Sequence, residues 1–353
     1  MLKAILKAGL LSLVSLVLFL LLLELLLRVF SPQRMMDIDH PPMFQRDEQL
    51  GHRMIPHFAV HFKTTHLDTF IKINSLGLRD IEINTCTDEH KILVLGDSFT
   101  FGHSVNLEDT YVKQLERLFV ERQELKVHVV NAGVCSYSTR QEVLFLRELD
   151  KIIEPDLVIL QFFVGNDIDE NFGPHKGIYS RHPIVAEAVY VVKRLLWSRS
   201  HLYIFVRNRL VLLYSNINKP DQAKMIRNVS RVVPGEGVPT AQKRGWRTEI
   251  EVTKVYLSDF ADYCRGKSYR CMVMLVPSPA QILAKYERHE FFYAQVKEFL
   301  EAHNVTYFDL EPHLRETLAM QEKIYAPDGH WNTKGNEVVA NFLFEYLLTK
   351  GML

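Results

Sequence analysis

The chain has 353 residues, enough for one large domain or two modest ones, and 47% of them are hydrophobic. Its 42 acidic and 42 basic side chains cancel, which leaves no basic excess to hold nucleic acid; no nucleic-acid partner is expected. The four cysteines, Cys86, Cys135, Cys264 and Cys271, show neither CxxC spacing nor paired histidines, which argues against a zinc site.

At the amino terminus, residues 8–23 are apolar apart from two serines, and Leu25–Leu27 carry the run past a lone Glu24. That reaches the roughly 20 residues a helix needs to cross a bilayer. Lys3 and Lys7 precede the run, Arg28 and Arg34 follow it, and no small-x-small cleavage site closes it. Residues 1–30 therefore read as an uncleaved transmembrane signal anchor, with the rest of the chain on the extracytoplasmic side. Residues 31–90 read as a linker followed by a few short strands. Within them Asn74–Asp80 has the look of a turn with Gly77 at a special backbone angle.

From Lys91 the pattern alternates. Lys91–Leu95 is a buried strand, and Asp109 is placed to cap a helix running to about Gln123, with Tyr111, Leu115, Leu118 and Phe119 on one face. Val127–Val130 is a second strand. Ser138–Gln141 fits a capping box opening a helix with Val143, Leu146 and Leu149 inward. Leu157–Val164 is a third, continuously apolar strand. Glu249–Tyr263 reads as helix, Cys271–Val276 as strand, Phe291–His303 as helix, Val305–Leu310 as a short strand and Thr333–Leu348 as the last helix. Cys264 and Cys271 flank a turn in this stretch; they either pair as a local disulfide in an exported domain or stay as separate buried thiols. Apolar strands alternating with helices imply a parallel sheet covered on both faces, a three-layer α/β/α sandwich of about five strands. An insertion at about 171–246 breaks the alternation. Its apolar segments 188–197 and 202–214 fit a lid, a membrane-surface segment or an ordinary helical cap.

Chemistry concentrates at the strand ends. Gly96-Asp97-Ser98 follows the first strand, Asn131-Ala132-Gly133 the second and Gly165-Asn166-Asp167 the third, while Asp328-Gly329-His330-Trp331 precedes the last helix. Open α/β sheets bind ligands at this edge. A serine needs a base in reach, for which His330 is the candidate, and a group to orient that base, for which Asp328 is placed. Attack on an ester carbonyl also needs fixed donors, which the Ser98 and Gly133 amides and the Asn166 side chain could supply.

With these four blocks the chain resembles the SGNH (GDSL-type) hydrolase family, from about Lys91 to the carboxyl terminus apart from the insertion. The resemblance implies a flavodoxin-like fold with Ser98 as nucleophile, Ser98, Gly133 and Asn166 as oxyanion donors and His330 as base. Asp97 and Asp167 would shape their turns. Phe99 stands where the family name has Leu, Asp328 lies two residues before His330 instead of three, and Gly165 directly precedes Asn166. Membrane-anchored bacterial members look similar along their whole length, including the 74–80 turn. The implied activity is a serine esterase or deacylase that needs no cofactor and no metal, acting on an ester-bearing lipid or acylated glycan. An O-acyltransferase of cell-surface glycans uses the same parts, for which Trp331, Tyr325 and Tyr137 are candidate sugar-facing rings. A membrane-tethered binding protein without turnover is the third reading.

Overall fold

The computed structural model describes residues 2–32, 42–63, 67–84, 89–172, 200–206, 209, 240–267, 269–284 and 286–352. They fall into two compact units, one formed by the described residues within 1–42 and 181–237, the other by those within 43–63, 67–180 and 238–353.

In the first unit α1 spans Leu2–Phe30, and its Leu6–Phe30 stretch is long and apolar enough to cross a bilayer. Its acid, Glu24, accepts hydrogen bonds from the Ser200 hydroxyl at 3.0 Å and from the backbone N–H groups of His201 and Leu202 at 3.0 and 2.8 Å. The carboxylate thereby caps the helical turn at 201–206. The rest of the insertion read at 171–246 lies largely outside the described residues, including the segment 188–197 and most of 202–214, as does Cys86.

The second unit begins with two antiparallel hairpins, β1 (Phe44–Asp47) with β2 (Gly51–Met54) and β3 (Ala59–Lys63) with β4 (Asp68–Lys72). The segment read as linker and short strands is thus part of the packed domain from Met43 onward: Met43, Phe44, Met54, Phe62 and Ile71 join the main core. A parallel sheet follows. Its strands are β5 (His90–Gly96), β6 (Val127–Gly133), β7 (Leu157–Phe163), β8 (Arg270–Val276) and β9 (Tyr307–Asp309), in the spatial order β6-β5-β7-β8-β9. This is the flavodoxin-like order, whose direction reverses between β5 and β7 and opens a crevice at their carboxyl ends.

Helices cover both faces because each strand is apolar on both sides. On one face Leu93, Leu95, Leu160 and Val273 meet α4 (Thr139–Ile153), α6 (Thr240–Arg265) and α8 (Glu287–Ala302). On the other Ile92, Val94, Ile159 and Met274 meet α3 (Tyr111–Gln123) and α10 (Thr333–Thr349). The short α2 (Ser98–Phe101) and α5 (Asp167–Phe172) follow β5 and β7, α7 (Pro279–Ala284) follows β8, and α9 (Glu311–Ala319) follows β9. Ser138 and Gln141 form the expected capping box. The cap of α3 is Thr110, whose side chain accepts from the Lys113 amide; Asp109 instead ends a 3₁₀ turn, so the helix starts one residue later than expected. Cys264 and Cys271 are joined as a disulfide that ties the end of α6 to β8.

Two features beneath the crevice bear on stability. A Cβ on Gly133 would lie 2.2 Å from the Phe101 backbone nitrogen and 2.5 Å from the Thr100 carbonyl carbon. Only a residue without a side chain lets β6 run this close to α2. Beside it, desolvation raises the buried carboxyls of Asp97 to about 6 and Glu170 to about 8, and pushes Glu142 and Asp167 well above the usual range. Both Glu142 oxygens are buried without a hydrogen-bond partner.

Gly133→Ala is expected to cost about 1–3 kcal/mol by forcing α2 off β6. Thermal melts in detergent test this; an unchanged melting temperature refutes the contact. The raised carboxyls also fix a sign. The folded chain holds protons that the unfolded chain has released, so their contribution is full below about pH 4 and falls as pH rises through about 6 and 8. Glu142→Gln should flatten the decline of melting temperature with pH; parallel curves for the two proteins exclude the effect.

Candidate active site

Strand β5 ends at Gly96, and the chain turns at once into α2. Asp97 is buried and accepts the Phe99 amide at 2.9 Å, capping that helix. Ser98 is the first residue of α2 and half-buried. The α2 backbone is held from β6 and β7: Asn131 Nδ2 donates to the Thr100 carbonyl at 2.8 Å, and Thr100 Oγ1 donates to Gln161 Oε1 at 2.8 Å. The Phe99 amide, followed by the His330, Gln161 and Asn166 side chains, counters the desolvation that lifts Asp97.

His330 arrives from the far end of the sequence. A turn closed by Gly329 N–H to Ala326 carbonyl, at 3.0 Å, precedes it, and Gly329 has a φ of 91°. Only glycine takes that angle without strain. Asn332 caps α10 through the Gly335 amide, at 2.9 Å. This places His330 Nε2 2.8 Å from Ser98 Oγ. Asp328 accepts the His330 backbone amide at 3.1 Å through Oδ1, and its Oδ2 lies 3.2 Å from His330 Nδ1. That second approach has the distance of an ion pair without the alignment of a hydrogen bond, and Nδ1 is buried with no hydrogen-bond partner. Desolvation pushes the Asp328 carboxyl up, yet the His330 imidazole, the Ser104 hydroxyl and the His330 amide hold it well below the usual carboxylate range. A hydroxyl, an imidazole and an ionised carboxylate in this line can activate a nucleophile.

Sequence reasoning missed what holds Asp328. Ser104, six residues after Ser98, donates to Asp328 Oδ2 at 2.7 Å, and His103 Nε2 lies 4.0 Å from the same oxygen. The loop carrying both is gripped by the buried Arg79, which donates to the carbonyls of Phe101, Gly102 and Val105 at 2.8, 2.6 and 2.8 Å. Next to it Asp80 pairs with Lys113 at 2.8 Å and accepts the Asn131 amide at 2.7 Å. Gly77 does take a left-handed angle, φ 76°, in that turn. Its geometry was legible, but nothing in the pattern marks the two charged residues as buried.

The expected oxyanion donors separate. Ser98 and Asn166 both sit half-buried at the ends of their strands. Gly133 does not offer its amide: the N–H donates to Asn131 Oδ1 at 3.0 Å and the residue is buried against α2. Its glycine is required for close packing, which is why the sequence shows one there. Farther along the same loop Ser136 is half-buried with a φ of 62°, a left-handed angle uncommon for a residue with a side chain. Of the rings considered for sugars, Trp331 and Tyr137 are buried, with Phe99 and Tyr111 edge-on to Trp331 and the Tyr137 hydroxyl bonded to the His52 carbonyl.

No curated protein sequence matches the chain. Among solved structures, a lipase/acylhydrolase from Enterococcus faecalis is 14% identical, with 74% of this chain and 96% of that chain covered and a TM-score of 0.42. A lipolytic protein of the G-D-S-L family from Veillonella parvula DSM 2008 is 15% identical, covering 72% and 97%, TM-score 0.38. An acetyl xylan esterase from Geobacillus stearothermophilus is 15% identical, covering 72% and 93%, TM-score 0.39. At these levels of likeness, membership rests on the family model. That model, of the GDSL-like lipase/acylhydrolase family, matches residues 94–338 and so takes in the sheet from within β5 onward, the Ser98 turn and His330. The chain belongs to the GDSL-like lipase/acylhydrolase family, and is a hydrolase acting on esters.

Proposed function

We propose that this protein is a membrane-anchored serine esterase working through an acyl-Ser98 intermediate. The observation that carries the reading is the 2.8 Å contact between Ser98 Oγ and His330 Nε2 with Asp328 behind the ring. With the imidazole proton on Nδ1, facing Asp328, Nε2 accepts the Ser98 proton as Oγ attacks the ester carbonyl. The negative charge developing on the carbonyl oxygen meets the Ser98 N–H and the Asn166 side-chain amide. We assign the third donor to the Ser136 N–H, because the Gly133 N–H is engaged by Asn131. Collapse breaks the carbonyl–alkoxy bond, and the alcohol leaves with the proton from Nε2. Water then gives its proton to Nε2, attacks the acyl-serine, and releases the acid and free Ser98.

Hydrolysis is preferred to transfer onto a glycan because two of the three candidate rings, Trp331 and Tyr137, are buried and have no face to offer a sugar, which leaves the half-buried Tyr325 alone. A binding protein without turnover is disfavoured by a serine and histidine kept at reacting distance. For the side of the membrane, Lys3 and Lys7 before the apolar run support an extracytoplasmic domain, and the Cys264–Cys271 disulfide suits an oxidising compartment.

Ser98→Ala should abolish both ester turnover and labelling by a fluorophosphonate probe while leaving the melting temperature intact; a labelled mutant refutes the nucleophile. Asn166→Ala should lower kcat by about 10²–10³ with KM nearly constant. Near wild-type kcat would remove it from the oxyanion site. Supplied with an acyl donor and a sugar acceptor at millimolar concentration, the enzyme should release most acyl groups to water. Predominant acylation of the sugar would make it a transferase. A reporter active only outside the cytoplasm, fused after Leu353, should function; an inactive, well-expressed fusion reverses the topology.

A further inference from the structure

Three potential metal ligands converge behind the catalytic imidazole, on the side away from Ser98. One ligand atom from each of His103, Asp328 and His330 lies within 4.8 Å of the other two. Asp328 Oδ2 is the hub, 3.2 Å from His330 Nδ1 and 4.0 Å from His103 Nε2. The two histidine rings stand 4.9 Å apart between centroids. His330 Nδ1 points into this space without an aligned partner of its own.

Ligands bound at about 2.0–2.2 Å to one tetrahedral zinc ion sit roughly 3.3–3.5 Å from each other. Two of the spacings are already within about 0.6 Å of that range, and the third is at most 4.8 Å. Two imidazoles and a carboxylate are a donor set that favours zinc over magnesium or calcium. Asp328 is exposed and His330 partly so, which gives an ion an entry route from solvent, while buried His103 forms the floor. A three-ligand arrangement leaves a fourth position for water.

We propose that His103, Asp328 and His330 form an inhibitory site for a divalent transition-metal ion of the zinc class; the inhibitory half rests on the esterase reading of Ser98 and His330. The chemistry follows from the imidazole. Neutral imidazole has one N–H, and a metal ion on Nδ1 takes that nitrogen's lone pair, so the proton must reside on Nε2. Nε2 then faces Ser98 Oγ as a donor. It has no lone pair left to accept the serine proton, and the ion also takes the Asp328 oxygen that would stabilise an imidazolium. Zinc occupancy and serine activation are therefore mutually exclusive states of one histidine. The ion takes no part in turnover.

The test uses the full chain in detergent micelles and zinc chloride as the probe. Calorimetry should find one zinc ion bound at micromolar concentration, equally well by wild type and Ser98→Ala, and at least tenfold more weakly by His103→Gln. Binding absent up to millimolar zinc, or undiminished in His103→Gln, overturns the site. The rate of fluorophosphonate labelling, relative to each protein's own zinc-free rate, should fall in wild type with a midpoint near the calorimetric Kd. In His103→Gln that midpoint should shift by the same factor as the affinity. Zinc-loaded wild type that labels at the metal-free rate overturns the inhibitory half. A protein that never labels, with or without zinc, counts against the esterase reading, and calorimetry alone then decides the metal site.

Discussion

The Arg79 guanidinium is fully buried, and its charge is met by the carbonyl oxygens of Phe101, Gly102 and Val105 and by the Thr69 hydroxyl. Burial lowers its pKa to about 10, which still leaves it a cation at neutral pH. A buried cation is tolerable only while those acceptors surround it. The loop from Phe101 to Val105 is therefore held to one shape, and that loop joins α2, which begins with Ser98, to His103 and Ser104, which face Asp328. Asp80, next in sequence, is held by Lys113 and by the Asn131 amide, so the same turn also fixes β6. The turn that precedes β5 in sequence thus sets the spacing between the Ser98 turn and the groups that hold Asp328.

Much of this domain was legible in the sequence for identifiable reasons. The central strands are apolar on both faces and end in glycine or polar turns, so their extents were readable to within one to three residues. The Ser138–Gln141 box rests on local hydrogen bonds, which sequence encodes directly. The pairing of Ser98 with His330 followed from where the strands end. What escaped was set by tertiary contact. Nothing in the motif Asn131-Ala132-Gly133 tells whether the glycine offers an amide or merely makes room. Here it makes room, and the left-handed residue in that loop is a serine, which no glycine pattern can reveal. Likewise Arg79, His103 and Ser104 are ordinary loop residues until the fold brings Asp328 to them. The hairpins at 44–72 were too short and too rich in charged and histidine residues for their inward-facing side chains to stand out.

The electrostatics of Asp97 and Asp328 diverge for the same reason that their burial differs. Asp97 is buried under α2 and is shifted up to about 6, while Asp328 has a hydroxyl, an amide and an imidazole around it and is shifted down. One carboxyl is thus suited to shaping a turn and the other to supporting a positive ring. Asp328 does this from two residues before His330 because Gly329 takes a left-handed angle that folds the short turn back on itself.

Both bonds that assemble the site span nearly the whole catalytic region: Ser98 to His330 crosses 232 residues and Ser104 to Asp328 crosses 224. Contacts of such sequence separation form late, since a long loop must close before they reward it. During synthesis the serine turn can fold with its sheet while the histidine is still to be made. The chain is then inert towards esters until α10 has docked beside α3. For a hydrolase acting on esters, this order of events withholds reactivity from the nascent chain and grants it only to the finished fold.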